Sequence, residues 1–213
     1  MSYCDRDLQT LSLPPQNATH LRAWLSPADR PRCADLIFVL AGKMDRKEYA
    51  LELFRLSLAP RLLFSVGRFE IRRFSKMPLP VPLDLLKLAQ EVSPPQRHYF
   101  VFFQGQRVQV DRVPPRRFGT LTEIEALAHW LSERPDIRSV LVVSSDTHLR
   151  RIRMCCRALL SPALELSFLS TPSSGAEQPQ QLRNAKGPAF AVPKEELLEL
   201  FKLAIYWVLL KVC

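Results

Sequence analysis

Glycine is scarce, with only 6 in 213 residues. No two of them stand at the spacing of GxGxxG or of a Walker A loop, which removes both common glycine-rich phosphate cradles. The 5 cysteines (Cys4, Cys33, Cys155, Cys156 and Cys213) form no CxxC pair, and structural zinc needs four convergent ligands, usually in short paired spacings. The neighbours Cys155 and Cys156 point in different directions on a helix. The expectation is therefore free, buried thiols in a reducing compartment. His20, His98 and His129 share no ligand spacing, and no metal is expected. Long apolar runs are lacking too. The most apolar stretch, Leu203 to Leu210, is bounded by Lys202 and Lys211, far short of the ~20 residues that span a bilayer. The opening residues Met1 to Thr10 are polar and charged and are not expected to act as a signal peptide.

What is present describes a folded domain. Hydrophobic residues make up 47% of the chain and charged residues 24%, with 18 prolines. A chain of this length buries roughly 70% of its unfolded surface, enough for one proper core. The net charge is +9, but the basic residues are spread from Arg6 to Lys211, with no nucleic-acid motif and no aromatic stacking platform. That charge speaks of nonspecific attraction rather than of a nucleic-acid interface. Trp24, Trp130 and Trp207 read as packing residues.

The segments 34–42, 61–67, 98–103 and 139–144 are almost continuously apolar, the signature of strands buried on both faces. Residues 108–113 and 164–169 are two further extended pieces. Helical spacing recurs near 18–25, 49–58, 85–92, 121–131, 147–160 and 194–212. Alternation of this kind predicts an α/β, Rossmann-like three-layer sandwich with a mainly parallel central sheet. Residues 1–32 are an N-terminal extension, 33–170 the α/β domain, 171–193 a Ser/Pro/Gln-rich loop, and 194–213 a C-terminal helix packing on the domain.

Ligands of such sheets bind outside the carboxyl ends of the strands. That rule selects residues 42–46, 65–70, 116–123 and 144–151. The side chains collected there are Gly42, Lys43, Arg46, Ser65, Gly67, Arg68, Thr120, Glu123, Ser144, Ser145, His148 and Arg151. Ser144, Ser145, Asp146 and Thr147 are all helix-capping types, and a capped helix N-terminus attracts anions. Arginine matches phosphate or carboxylate bidentately. Lys43, Arg46, Arg68 and Arg151 are thus expected to ring a cleft for an anionic, phosphorylated ligand, with His148 as the acid–base or phosphate-contacting group. Thr120 and Glu123 have capping-box spacing; the alternative has Glu123 or Glu125 facing the cleft and balancing its arginines. Asp35, low in the first strand, is expected to orient a neighbour rather than react.

The first strand with Asp35 and Gly42, the downstream Arg46, the Ser65-Val66-Gly67 strand end, the Thr120 to Glu123 helix start and the run Ser144-Ser145-Asp146-Thr147-His148-Leu149-Arg150-Arg151 together resemble the bacterial YdcF-like family, which includes the SanA and ElyC envelope proteins. Ser144, Ser145, His148 and Arg151 match its most specific pattern, and Glu199, Lys202 and Tyr206 resemble its C-terminal helix. The resemblance spans roughly residues 34–212. It implies a Rossmann-like fold with a polar cleft, S-adenosylmethionine as a ligand reported for one member, and a role in cell-envelope or lipid-carrier homeostasis.

The last helix carries Leu197, Leu198, Phe201, Ala204, Ile205, Val208 and Leu209 on one broad stripe. The expectation is that this stripe packs on the sheet and completes the core. The alternative is that it lies in an anionic membrane interface, so that a cytoplasmic protein would sit peripherally at the inner membrane.

Overall fold

The computed structural model describes residues 20–25, 28–114, 119–172 and 194–212. Residues 173–193 of the loop assigned to 171–193, Arg116, and all but the end of the N-terminal extension lie outside the described residues. The order of elements is α1 (His20–Leu25), β1 (Leu36–Val39), α2 (Met44–Arg55), β2 (Arg61–Val66), α3 (Ile71–Phe74), α4 (Leu85–Gln90), β3 (Tyr99–Gln104), β4 (Arg107–Arg112), α5 (Gly119–Ser132), β5 (Ser139–Ser144), α6 (Leu149–Leu159), β6 (Glu165–Ser170) and α7 (Lys194–Val212). The six strands form one sheet in the order β4-β3-β2-β1-β5-β6.

The apolar strands are explained by the two layers that cover them. On β1, Leu36 and Phe38 join the core beneath α5 and α6, while Ile37 and Val39 join the core beneath α2, α3 and α4. β5 divides the same way, Val140 and Val142 to one side, Leu141 and Val143 to the other. A strand with a helix layer on each face has no solvent side to keep polar. This is the α/β sandwich expected from the pattern.

The sheet is parallel through β2, β1, β5 and β6 and antiparallel at one side. β3 runs against β2, and β4 against β3. Gln104 pairs with Arg107, leaving a two-residue turn whose first residue, Gly105, has φ +56. That positive φ is what a primed hairpin turn demands, and its twist matches the strands it joins. The reversal of β3 has one consequence for the site. The edge holding the carboxyl ends of β1, β2 and β5 receives the start of β3, and with it His98.

Two local expectations need correction. Cys33 is disulfide-bonded, so the reading of every cysteine as a thiol does not hold; Cys155 and Cys156 are free and buried, and burial pushes both thiols up, that of Cys155 to about 12. The α7 stripe does not complete the core. Among the described side chains of that helix Glu196, Glu199 and Tyr206 are the buried ones, whereas Leu197, Leu198, Phe201 and Val208 are more than half exposed.

Candidate functional site

β1 ends at Val39, and the chain then turns sharply at Gly42, whose φ is +134. A Cβ there would stand 2.9 Å from Nη1 of Arg46. The position thus needs glycine twice, for its backbone angle and for the guanidinium lying against it. The two amides at this strand end are already taken. Ala41 N–H donates to Oε1 of Glu123 at 2.9 Å, and Gly42 N–H to Oε1 of Glu70 at 2.6 Å. Glu70 also pairs through Oε2 with Lys47, which is fully buried. Glycine 67 packs beside this carboxylate, its absent Cβ only 3.2 Å from Oε1 of Glu70.

Glu123, 4% exposed on the first turns of α5, does not close a capping box with Thr120. Its Oε1 accepts from Ser65 at 2.5 Å as well as from Ala41, and lies 3.4 Å from Nε2 of His98. Ser65 Oγ is in turn 2.7 Å from that same Nε2. The consistent assignment is His98 N–H to Ser65, and Ser65 O–H to Glu123. Burial alone would raise the Glu123 carboxyl, but the His98 and Ser65 hydrogen bonds and the Ala41 amide hold it below the ordinary range. Ser65 is therefore a positioning residue for Glu123 rather than a surface that a ligand touches.

Beyond β5 a single 3-10 turn, Asp146–His148, precedes α6, in place of the helix expected from residue 147. Ser145 has extended backbone and caps nothing with its side chain. Instead its Oγ accepts from Nε of Arg46 at 2.8 Å. Asp146 bonds to Ser170 at the end of β6. Ser144 Oγ is buried without a hydrogen-bond partner among the described residues.

Arg46 reaches this edge from the first turn of α2 and is 5% exposed. Its guanidinium donates to Ser145 and, through Nη1, to the Ala41 carbonyl at 3.0 Å. Both acceptors are neutral, and among the described residues no carboxylate lies within ion-pair distance of it. Burial pulls its pKa down. Arg151, 6% exposed, is treated differently. Nε meets Oε2 of Glu199 at 3.1 Å, Nη1 donates to Thr120 at 2.5 Å, Nη2 meets Nδ1 of His148 at 2.7 Å, and the Tyr206 ring lies 5.1 Å beneath the guanidinium. Lys202 completes the group by donating to Oε1 of Glu199 at 2.8 Å.

Arginine can only donate, so Nδ1 of His148 accepts and the proton of the neutral ring sits on Nε2. Burial, with the charges of Arg46 and Arg151, takes the imidazole down to about 4. At neutral pH His148 is a fixed hydrogen-bond donor rather than a titrating base. The same shift has a stability consequence. The unfolded chain takes a proton on His148 near about pH 6.5, while the folded chain refuses it until about 4. The contribution is complete above 6.5 and is lost as pH falls toward 4. Allowing for the partly exposed ring, we expect acidification across that window to cost about 2 kcal/mol more in the wild type than in His148→Gln, read from urea midpoints of both proteins at pH 7 and pH 4.5. Equal losses would remove the assignment.

The structure thus brings together Gly42, Arg46, Ser65, Thr120, Glu123, Ser144, Ser145, His148 and Arg151. It separates two others. Arg68 is exposed, with its guanidinium 4.4 Å from the Phe69 ring, and Lys43 is exposed ahead of α2. Neither has a recorded contact with the buried arginines. Glu125 turns away as well, into a cleft of about 470 Å³ between β4 and α5 that also takes in Asp111, His129 and Glu133. Arg112 lines that cleft as well, and neither Arg46 nor Arg151 does. Asp35 lies at the opposite edge, accepting from the Arg138 and Ser139 amides at 2.8 and 2.9 Å, an orienting role as expected. Sequence reasoning missed His98, Lys47 and Glu70 as members of the site's support. No spacing or composition in the sequence pointed Glu199 and Lys202 at Arg151.

S-adenosylmethionine does not fit the residues at the β1 end. The amides that would face it are capped by Glu123 and Glu70, the space over Gly42 is filled by Arg46, and a sulfonium cation would meet a buried guanidinium with no carboxylate paired to it. No family model matches this chain, and no curated protein or solved structure is significantly similar to it.

Proposed function

We propose that the edge formed by Arg46, Ser145, His148 and Arg151 binds the anionic group of a phosphorylated or nucleotide-like small molecule. One observation carries this reading: among the described residues, the buried Arg46 guanidinium donates only to neutral partners. A buried charge left unpaired is costly and calls for a counter-ion. A phosphate oxygen supplies it. Arg46 would hold the anion, Nε2–H of His148 would donate to it, and Arg151, already clamped by Glu199, would fix the imidazole. The YdcF-like resemblance supports the same reading and with it a place in cell-envelope or lipid-carrier metabolism.

The test is thermal unfolding with inorganic phosphate, pyrophosphate and nucleoside mono- and diphosphates, on the wild type and on Arg46→Met. A ligand at 100 times its Kd adds about 2.7 kcal/mol of stability. Wild type is expected to gain this with at least one of these anions, and Arg46→Met to bind it at least ~100-fold more weakly, as loss of a charge-assisted bidentate contact implies. No stabilisation by any of them, or an equal gain in Arg46→Met, overturns the reading.

A further inference from the structure

We propose that the outward face of α7 is a docking surface for an anionic lipid bilayer. The helix is built the reverse of a core helix. It turns Glu196 and Glu199 inward, 5% and 3% exposed, and leaves Leu197, Leu198, Phe201, Trp207 and Val208 between 52% and 64% exposed. The inversion has a cause on the inner side. Glu199 is the shared counter-ion of Arg151 and Lys202 and lies 3.5 Å from His148. Turning the leucines inward would strip Arg151 of its carboxylate, so the helix is held in this orientation and its apolar stripe must face out.

Charge selects the occupant. Among the described side chains of α7 no carboxylate is exposed, and the exposed residues at its two ends are Lys194 and Lys211. Lys211 lies 5.9 Å from the Trp207 ring, and on the neighbouring α1 an exposed Trp24 stacks with Arg150 at 3.8 Å. Aromatics and aliphatics flanked by cations make the composition of an interfacial helix, whose apolar side chains enter the headgroup boundary while its cations meet anionic lipid. The net charge of +9 adds attraction of the same sign. A second copy of the chain suits the face less well. Like-charged lysines would meet, and a few half-exposed side chains supply less than the ~800 Å² per partner of a standard interface. No helix among the described residues is long and apolar enough to cross a membrane, so the helix would lie on the bilayer.

The experiment is flotation of the full chain with vesicles of phosphatidylcholine alone and with phosphatidylglycerol added, alongside its mass in solution. The variants are Phe201→Glu, Leu198→Glu with Val208→Glu, and Lys194→Glu with Lys211→Glu. Every substituted side chain is exposed, and unchanged far-ultraviolet circular dichroism and melting show that each variant is folded. Wild type is expected to float with phosphatidylglycerol vesicles and not with neutral ones, losing binding as salt rises. Each variant set is expected to reduce the bound fraction at least fivefold, while Arg46→Met leaves it unchanged. Wild type that stays unbound, or binding indifferent to Phe201→Glu, overturns the proposal. So does a dimer that Phe201→Glu converts to monomer, which would assign the face to a second copy.

Discussion

Glu70→Ala is expected to destabilise the protein by roughly 3–5 kcal/mol, the cost of breaking one side of a buried ion pair. Lys47 has no exposed surface, and Glu70 is its ion-pair partner. Burial pulls the lysine down and pushes the carboxyl up, and each offsets the other's shift. Removal of the carboxylate leaves an ammonium in an apolar layer between α2 and the sheet, with Leu51, Val39 and Phe64 among that layer's residues. It also frees the Gly42 amide, which Glu70 Oε1 accepts at 2.6 Å. The two losses fall on one loop, so they are coupled. The double variant Lys47→Met with Glu70→Leu separates them. Replacing a buried pair by hydrophobes of similar volume is often neutral or better, so most of the loss should return, leaving about 1 kcal/mol for the Gly42 amide. Urea unfolding of wild type, Lys47→Met, Glu70→Leu and the double variant closes a double-mutant cycle that measures the coupling, with Glu70→Ala measured alongside. A single-variant cost below 1 kcal/mol would show that the pair does not carry its charge.

The strands were legible because chemistry leaves them little choice. A run such as 139–144 with a helix layer on each face must be apolar throughout, and no helix could use it in that length. Direction was less legible. Parallel and antiparallel strands read alike once both faces are covered, so the reversal of β3 was hidden except for the hint at Gly105. With the direction went His98, which the strand-end rule could place only at the wrong edge. The rule succeeded where the chain leaves a strand through a short, constrained turn. Arg46 is pinned because Gly42 lets its guanidinium fold back over β1. It failed at Arg68, where the residue leaves the edge and finds Phe69 instead. Periodicity located the α7 stripe but could not orient it. Which face turns inward was decided by one carboxylate answering Arg151, a pairing across 48 positions that no local pattern encodes. The expected helix caps at Ser145 and Thr120 failed for the same reason: each hydroxyl had an arginine to accept from instead of a backbone amide.

Glu123→Ala is expected to cost ~3 kcal/mol or more and to weaken anion binding with it, because this carboxylate ties three strands' ends together. One oxygen accepts from Ala41 after β1 and Ser65 of β2, and faces His98 ahead of β3. Hydrogen bonds to a charged acceptor contribute ~1.5–3 kcal/mol each, and a buried donor left without one costs ~1–3. The Ser65 hydroxyl has an escape, since it can turn toward Nε2 of His98, 2.7 Å away, once that nitrogen is the acceptor. The Ala41 amide has none. It sits one residue before Gly42, and its own carbonyl accepts from Arg46, so a loosened β1 end moves the guanidinium that the anion would meet. Glu123→Gln tells positioning from charge. The amide keeps one carbonyl oxygen in the same place at neutral strength, so it should lose only about 1 kcal/mol and retain anion binding within a few-fold. Were the glutamate instead a proton donor or acceptor toward the ligand, Gln and Ala would fail alike. Urea midpoints give the first half of the comparison, and phosphate or pyrophosphate titration of the three proteins at a temperature well below the lowest melting point gives the second. Equal stability of wild type and Glu123→Ala would show that the strand ends hold without the carboxylate, and Arg46 would then owe its position to Gly42 and Ser145 alone.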